Sequence, residues 1–260
     1  MTTLFLSKVT AQETTASSQV STFTIEAPQL EIVKKIWVYL PKSYNSSTKK
    51  YPVIYMLDGQ NLFDKKTAIA EEWNIDETLD SINAKIIVIG IESSIQKRTE
   101  ELLPFNTGKY GAGKANALLD FIVKTLKPKI DTTYRTKTNT RNTAIFGSSM
   151  GGLTSFYASL RHPEVFGKAA CFSPAFEHNQ NELNAFLKNT KKFNTKIYFL
   201  YNNNKENDTT TLSELNAIEY WINSKRCECQ KLNKKVIVKS SEDNEKLWRK
   251  NFKKAYLWLF

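Results

Sequence analysis

The sequence predicts an α/β fold in which a mostly parallel sheet is covered by helices on both faces. Three observations carry this. Pro52-Val-Ile-Tyr-Met-Leu57 and Ile86-Ile-Val-Ile-Gly90 are continuous apolar runs without alternation, the pattern of strands buried on both sides. From residue 52 onward such runs alternate with segments of helical spacing. The third is Thr143-Ala-Ile-Phe-Gly-Ser-Ser-Met-Gly-Gly-Leu153, where a short apolar run meets Gly147-Ser148-Ser149-Met150-Gly151 and opens an amphipathic segment. This is G-x-S-x-G in a strand–turn–helix setting, which needs small flanking residues so that Ser149 can occupy a strained turn with its hydroxyl exposed.

The elements follow in order. Phe23 to Leu40 has strand chemistry, closed by Pro41, and Asn45 to Lys50 makes a polar turn. Asp58-Gly59-Gln60-Asn61 is a loop after the first buried strand, and Trp73 to Ile82 reads as a helix. Leu118, Leu119, Ile122, Val123 and Leu126 have helical spacing and mark the crossover to the Ser149 strand. His162-Pro163 ends the following helix, because a residue before proline avoids the helical region. Strands near Lys168–Phe172, Ile197–Tyr201 and Val236–Val238 come next, with a helix near Leu212–Ser224 that Thr211 and Glu214 would start as a capping box. The last helix carries Trp248, Phe252, Ala255 and Leu259 on one stripe.

At 260 residues and 41% hydrophobic content, the chain suits one α/β domain with a full core, and no apolar run reaches the ~20 residues of a membrane span. The net charge of +11 comes from scattered lysines; no basic stripe interleaved with aromatics points to nucleic acid. Neither a nucleic-acid partner nor a membrane is expected. Cys171 reads as a small core residue. Cys227-Glu-Cys229, without nearby histidine, makes a poor zinc site, and no disulfide framework is evident. Leu4-Phe5-Leu6 and Val9-Thr10-Ala11 resemble the tail of a secretory signal with Ala11 at the cleavage point, although Lys8 interrupts a short apolar part. Residues 1–20 are therefore either a clipped signal, implying a periplasmic or secreted protein, or a disordered start to a cytoplasmic one. A single domain is expected over residues 21–260.

Tyr39-Leu-Pro41, Tyr51 to Phe63, Gly147-Ser-Ser-Met-Gly-Gly152, Pro163-Glu-Val-Phe166 and Ser173-Pro174 resemble, in order, an esterase family of the α/β-hydrolase superfamily. It is the group containing esterase D, enterochelin esterases and feruloyl or acetyl-xylan esterases. The resemblance implies an eight-stranded hydrolase sheet and cleavage of a small-molecule or carbohydrate-linked ester by a serine nucleophile. It implies no metal and no organic cofactor.

Such chemistry needs a nucleophile, a base, an acid that orients the base, and an oxyanion hole. Ser149 is the candidate nucleophile, and the backbone N–H groups of Met150 and Gln60 are the candidate oxyanion donors. After the Ile197–Tyr201 strand, the loop Asn202 to Asp208 offers Glu206 as the acid, with Asp208 second. Similar sequences carry the base in a pattern like His-Asn-Glu-x-x-Trp-Arg; this chain reads Asp243-Asn-Glu-Lys-Leu-Trp-Arg249. Asp243 holds the histidine position, and an aspartate with a reference pKa near ~3.9 is a weak base at neutral pH. Its other reading is the N-cap of the last helix. The two histidines are His162, at a helix end, and His178, on the loop after the Lys168–Phe172 strand. All nine glycines lie at or before Gly167, so the expected acid and base loops carry none. Two functions stay open: a serine esterase slowed by an incomplete triad, or an inactive pseudo-esterase that binds or scaffolds.

Overall fold

A computed structural model describes residues 13–106, 111–190, 194–203, 209–225, 233–238, 240–241 and 243–260. Eight strands form one sheet: β1 (Val20–Ala27), β2 (Ile32–Tyr39), β3 (Val53–Leu57), β4 (Ile87–Ile91), β5 (Thr143–Ser148), β6 (Lys168–Phe172), β7 (Lys196–Asn202) and β8 (Asn233–Val238). Their order is β1-β2-β4-β3-β5-β6-β7-β8. The β1–β2 and β2–β4 pairings are antiparallel, and the others are parallel. The stretch from Phe23 to Leu40 is thus two strands, turned at Glu31 with φ 56°.

Among the described residues, eight α-helices pack around the sheet: α1 (Ile75–Ser81), α2 (Arg98–Leu102), α3 (Ala115–Phe121), α4 (Lys127–Thr133), α5 (Met150–Arg161), α6 (Gln180–Asn189), α7 (Thr209–Ser224) and α8 (Glu245–Leu259). A π-helical segment, Ile122–Leu126, joins α3 to α4. Successive strand residues point to opposite faces and so feed two cores. On one face Tyr55, Leu57, Ile145, Cys171 and Phe199 meet Leu118, Leu153, Phe156, Leu183 and Ile222. On the other, Ile54, Met56, Phe146, Phe172 and Tyr198 meet Trp73, Leu79, Trp248 and Phe252. Burial pushes the Cys171 thiol well above its usual value, as an inert core residue requires. Cys227 and Cys229 lie outside the described residues. Among the described residues no helix is long and apolar enough to cross a membrane.

Some element boundaries differ from the sequence expectation. Trp73 precedes α1 and is a core residue whose amide donates to the Asn61 carbonyl. Because α7 begins at Thr209, Thr211 and Glu214 lie inside the helix instead of starting it. Asp243 does not cap α8. Asn244 does, its side chain accepting from the Lys246 amide, which leaves the Asp243 carboxylate for another partner.

Residues expected to precede the fold are docked on it. Thr14 Oγ1 donates to Asp64 at 2.7 Å, Thr15 Oγ1 to Glu72 at 2.9 Å, and the Ser17 amide to Asp76 at 2.7 Å. Asp76 is fully buried. Burial first, then the charge of Glu77, raises its carboxyl pKa, partly offset by the Ser17 amide. A carboxyl raised on folding stabilises below the ordinary carboxylate range, and that contribution is lost as pH rises through the folded value. Asp76→Asn keeps an acceptor for Ser17 and removes the charge. Its melting temperature relative to the parent is therefore expected to be higher at about pH 7 than at about pH 4, as calorimetry at both pH values would read.

Candidate active site

The central strand β5 is fully buried and ends at Ser148. Ser149 follows at φ 53° and ψ −121°, and its side chain makes no capping bond to α5. A non-glycine residue there is strained by roughly 1–3 kcal/mol, so the surroundings must hold it. Backbone bonds do so: the Ser149 amide donates to the Phe172 carbonyl at 2.9 Å, and its carbonyl accepts from Ala175 and Leu153, each at 3.1 Å. Gly147 has no room for a side chain, since a Cβ there would lie 2.3 Å from the Gly151 carbonyl oxygen.

The turn after β3 lies against this elbow. Asp58, at φ 59°, opens a 3₁₀ turn over Gly59–Asn61. Gly59 is required because a Cβ would come within 2.7 Å of the Gly90 backbone. The buried Gln60 side chain turns inward, where Oε1 accepts from the Ser93 amide at 3.1 Å. The Gln60 side chain is therefore committed to the fold, and its backbone carbonyl accepts from Thr67 Oγ1 at 2.8 Å. Met150 is the first residue of α5, so its N–H has no intrahelical acceptor.

Arg98, on α2, grips Asp58 with both arms: Nε donates to Oδ1 at 2.7 Å and Nη2 to Oδ2 at 2.6 Å. Burial opposes the guanidinium charge, but the hydrogen bonds and charge of Asp58 outweigh it and raise the Arg98 pKa. Nη2 also lies 3.5 Å from the Ser148 carbonyl, so Arg98 ties the loop after β3 to the end of β5. Glu245, at the start of α8, is raised by burial and by the nearby Asp58 charge, with Arg98 opposing. No sequence motif marked Arg98. It comes from a segment forty residues after Asp58, and nothing local to either residue announces the pairing.

Ser149 opens into a cleft of about 270 Å³ shared with Ser173, Glu177, Tyr201, Asn202, Asp243 and Trp248. Asp243 Oδ1 accepts from the Ser173 hydroxyl, which in turn accepts from Trp248 Nε1 at 3.1 Å. Ser173 is held at φ 41°, with its amide on the Leu200 carbonyl. Ser149 and Asp243 are thus brought to one cleft; Gln60 and Met150 are not part of its lining. Glu206 and Asp208 lie outside the described residues. His178 does not line the cleft; its Nδ1 is 3.0 Å from Glu177 Oε1. His162 caps the far end of α5, the twelve-residue helix that Ser149 opens, and its Nδ1 is 3.1 Å from Glu164. Among the described residues, the cleft lining contains no imidazole. Glu177, Asn202 and Ser173 were not singled out in the sequence as site residues, because only the sheet edge gathers the loop after β6, which carries Ser173 and Glu177, and the end of β7, which carries Asn202.

Residues 28–257 match the family model described as "Putative esterase". Among curated proteins, the chain is 26% identical over 149 residues to the uncharacterized protein YbbA of Bacillus subtilis (55% of this chain, 57% of that protein). It is 29% identical over 169 residues to the ferri-bacillibactin esterase BesA of the same organism (58% of each). It is also 29% identical over 152 residues to the siderophore triacetylfusarinine C esterase of Aspergillus fumigatus (54% and 51%). The aligned region spans little more than half the length of these relatives. Among solved structures, the enterobactin esterase FES of Shigella flexneri with enterobactin superposes with a TM-score of 0.73 at 16% identity, covering 94% of this chain and 60% of that one. The BES protein of Bacillus cereus superposes at 0.70 and 16%, covering 96% and 99%. The latter two likenesses show the α/β-hydrolase fold. With the family model matched over 230 residues, from 28 to 257, the chain belongs to the esterase family of that fold.

Proposed function

We propose that the protein hydrolyses carboxylic esters of small molecules or carbohydrates at Ser149, at a rate held down by the lack of an imidazole base. The observation that carries this is the backbone of Ser149, φ 53° and ψ −121°. Strain of this kind persists where the surroundings enforce it, and it clusters at reacting residues. Ser149 Oγ attacks the acyl carbonyl and loses its proton to water. The oxyanion is met by the N–H groups of Met150 and Gln60. The bond to the alcohol oxygen breaks, the alcohol leaves protonated, and water then releases the acid. Without a positioned base the first step lacks help worth ~10²–10⁴-fold, while binding and the oxyanion donors leave residual rate. Two relatives named for siderophore esters support a small-molecule substrate.

The second reading, a pseudo-esterase that binds without turnover, is favoured by one observation. Asp243, at the family's base position, is engaged by Ser173 in the described structure. Hydrolysis of nitrophenyl acetate by the parent and by Ser149→Ala separates the two. Turnover above the uncatalysed rate that disappears in Ser149→Ala supports the esterase; equal rates for the two proteins support the pseudo-esterase.

A further inference from the structure

We infer that the Ser149 cleft selects an ester carrying a positive charge, an ammonium group in its alcohol or acyl part. This rests on the reading of that cleft as the ester site. The chain has a net charge of +11, yet the described lining holds two carboxylates, Glu177 and Asp243, and no lysine, arginine or histidine. Among the described residues, the cations on neighbouring elements are engaged elsewhere. Arg98 is bound through two hydrogen bonds to Asp58. Lys246, three residues after Asp243, pairs with Glu71 at 3.2 Å, and Arg249 donates to the Glu72 carbonyl and to Asn74. His178 touches Glu177 without entering the cleft.

The rest of the described lining is neutral, with Ser149, Ser173, Asn202, Tyr201 and Trp248 supplying its polar and aromatic parts. An ammonium beside Ser149 would face the Glu177 and Asp243 carboxylates that line the same cleft. A carboxylate or sulfonate there would meet only repulsion. Position 243 thus acquires a role in choosing substrate in place of the proton transfer it would serve as histidine. Asp243 is exposed and the Glu177 side chain is 62% exposed, so solvent screens both. The preference is therefore modest, about three- to tenfold.

The test uses Ser149→Ala, so that binding is read without turnover. Dissociation constants are measured by calorimetry for acetylcholine, for neohexyl acetate (its isostere with carbon in place of nitrogen) and for the acetate ester of hydroxyethanesulfonate. At low ionic strength acetylcholine is expected to bind about three- to tenfold tighter than neohexyl acetate, and the sulfonate weakest. The difference shrinks at high salt and with Asp243→Asn or Glu177→Gln added. Equal binding, no binding of any of the three, or a preference that survives both carboxylate substitutions overturns the inference. Nitrophenyl acetate hydrolysis by the parent reports separately. A charge preference without hydrolysis would remove the catalytic reading alone, and hydrolysis without the preference would remove this inference alone.

Discussion

Asp243→His raises Ser149-dependent hydrolysis of nitrophenyl acetate by about 10²-fold, the low end of what a positioned general base supplies. The position already faces the cleft that Ser149 opens, and its side chain reaches the Ser173 hydroxyl there. It is exposed and precedes the Asn244 cap, so the exchange leaves α8 intact. The gained rate rises with pH through the ordinary histidine range near ~6.5, because only neutral imidazole accepts the serine proton. Adding Ser149→Ala removes the gain. Rates of the parent, the single and the double variants between mildly acidic and mildly alkaline pH check this. An Asp243→His protein no faster than the parent would place the deficiency elsewhere in the machinery. The same substitution lowers the preference for a cationic ester, so rate and selectivity move in opposite directions at one residue.

The second large effect is structural. Gly147→Ala places a methyl 2.3 Å from the Gly151 carbonyl oxygen, and a collision with backbone on a fully buried strand cannot be relieved by a rotamer change. A loss of about 3 kcal/mol or more in unfolding free energy follows. Gly151→Ala is the matched control. There the nearest atom to a new Cβ is Asp58 Oδ2 at 3.5 Å, an ordinary contact, and the position lies in α5. Alanine's helix propensity makes that change neutral or stabilising by up to ~1 kcal/mol. Urea unfolding of both variants tests the contrast. Comparable stabilities would mean that the elbow yields more easily than its geometry implies.

What the sequence revealed about the fold was the part written locally. The continuous runs of β3, β4 and β5, and the stripe of α8, each carry their own periodicity, and the parallel sheet follows from their alternation. The antiparallel β1–β2 hairpin was merged into one stretch because its turn at Glu31 uses a positive-φ glutamate, not glycine. The docking of Thr14 to Ser17 was invisible because their partners, Asp64, Glu72 and Asp76, lie some fifty residues on. In the site, Ser149 and Asp243 were legible because each sits in a motif. Arg98 and Glu177 were not, since their meaning depends on which loops share an edge of the sheet. Asp243 was half legible. Its neighbour Asn244 offers an equally good cap one residue nearer the helix, and local sequence does not choose between two adjacent capping residues.

The sheet also distributes tolerance to substitution unevenly. Ser149 hangs from β5, buried at every residue and fixed by backbone contacts that forbid a methyl group. Asp243 follows β8, an outermost strand buried nowhere along its length, on a stretch whose described residues are mostly open to solvent. Substitution is therefore costly around Ser149 and well tolerated around Asp243. Histidine and aspartate codons differ by a single nucleotide, so if position 243 holds the proposed roles, one genetic step on this scaffold would exchange turnover for ligand choice without an unfolded intermediate.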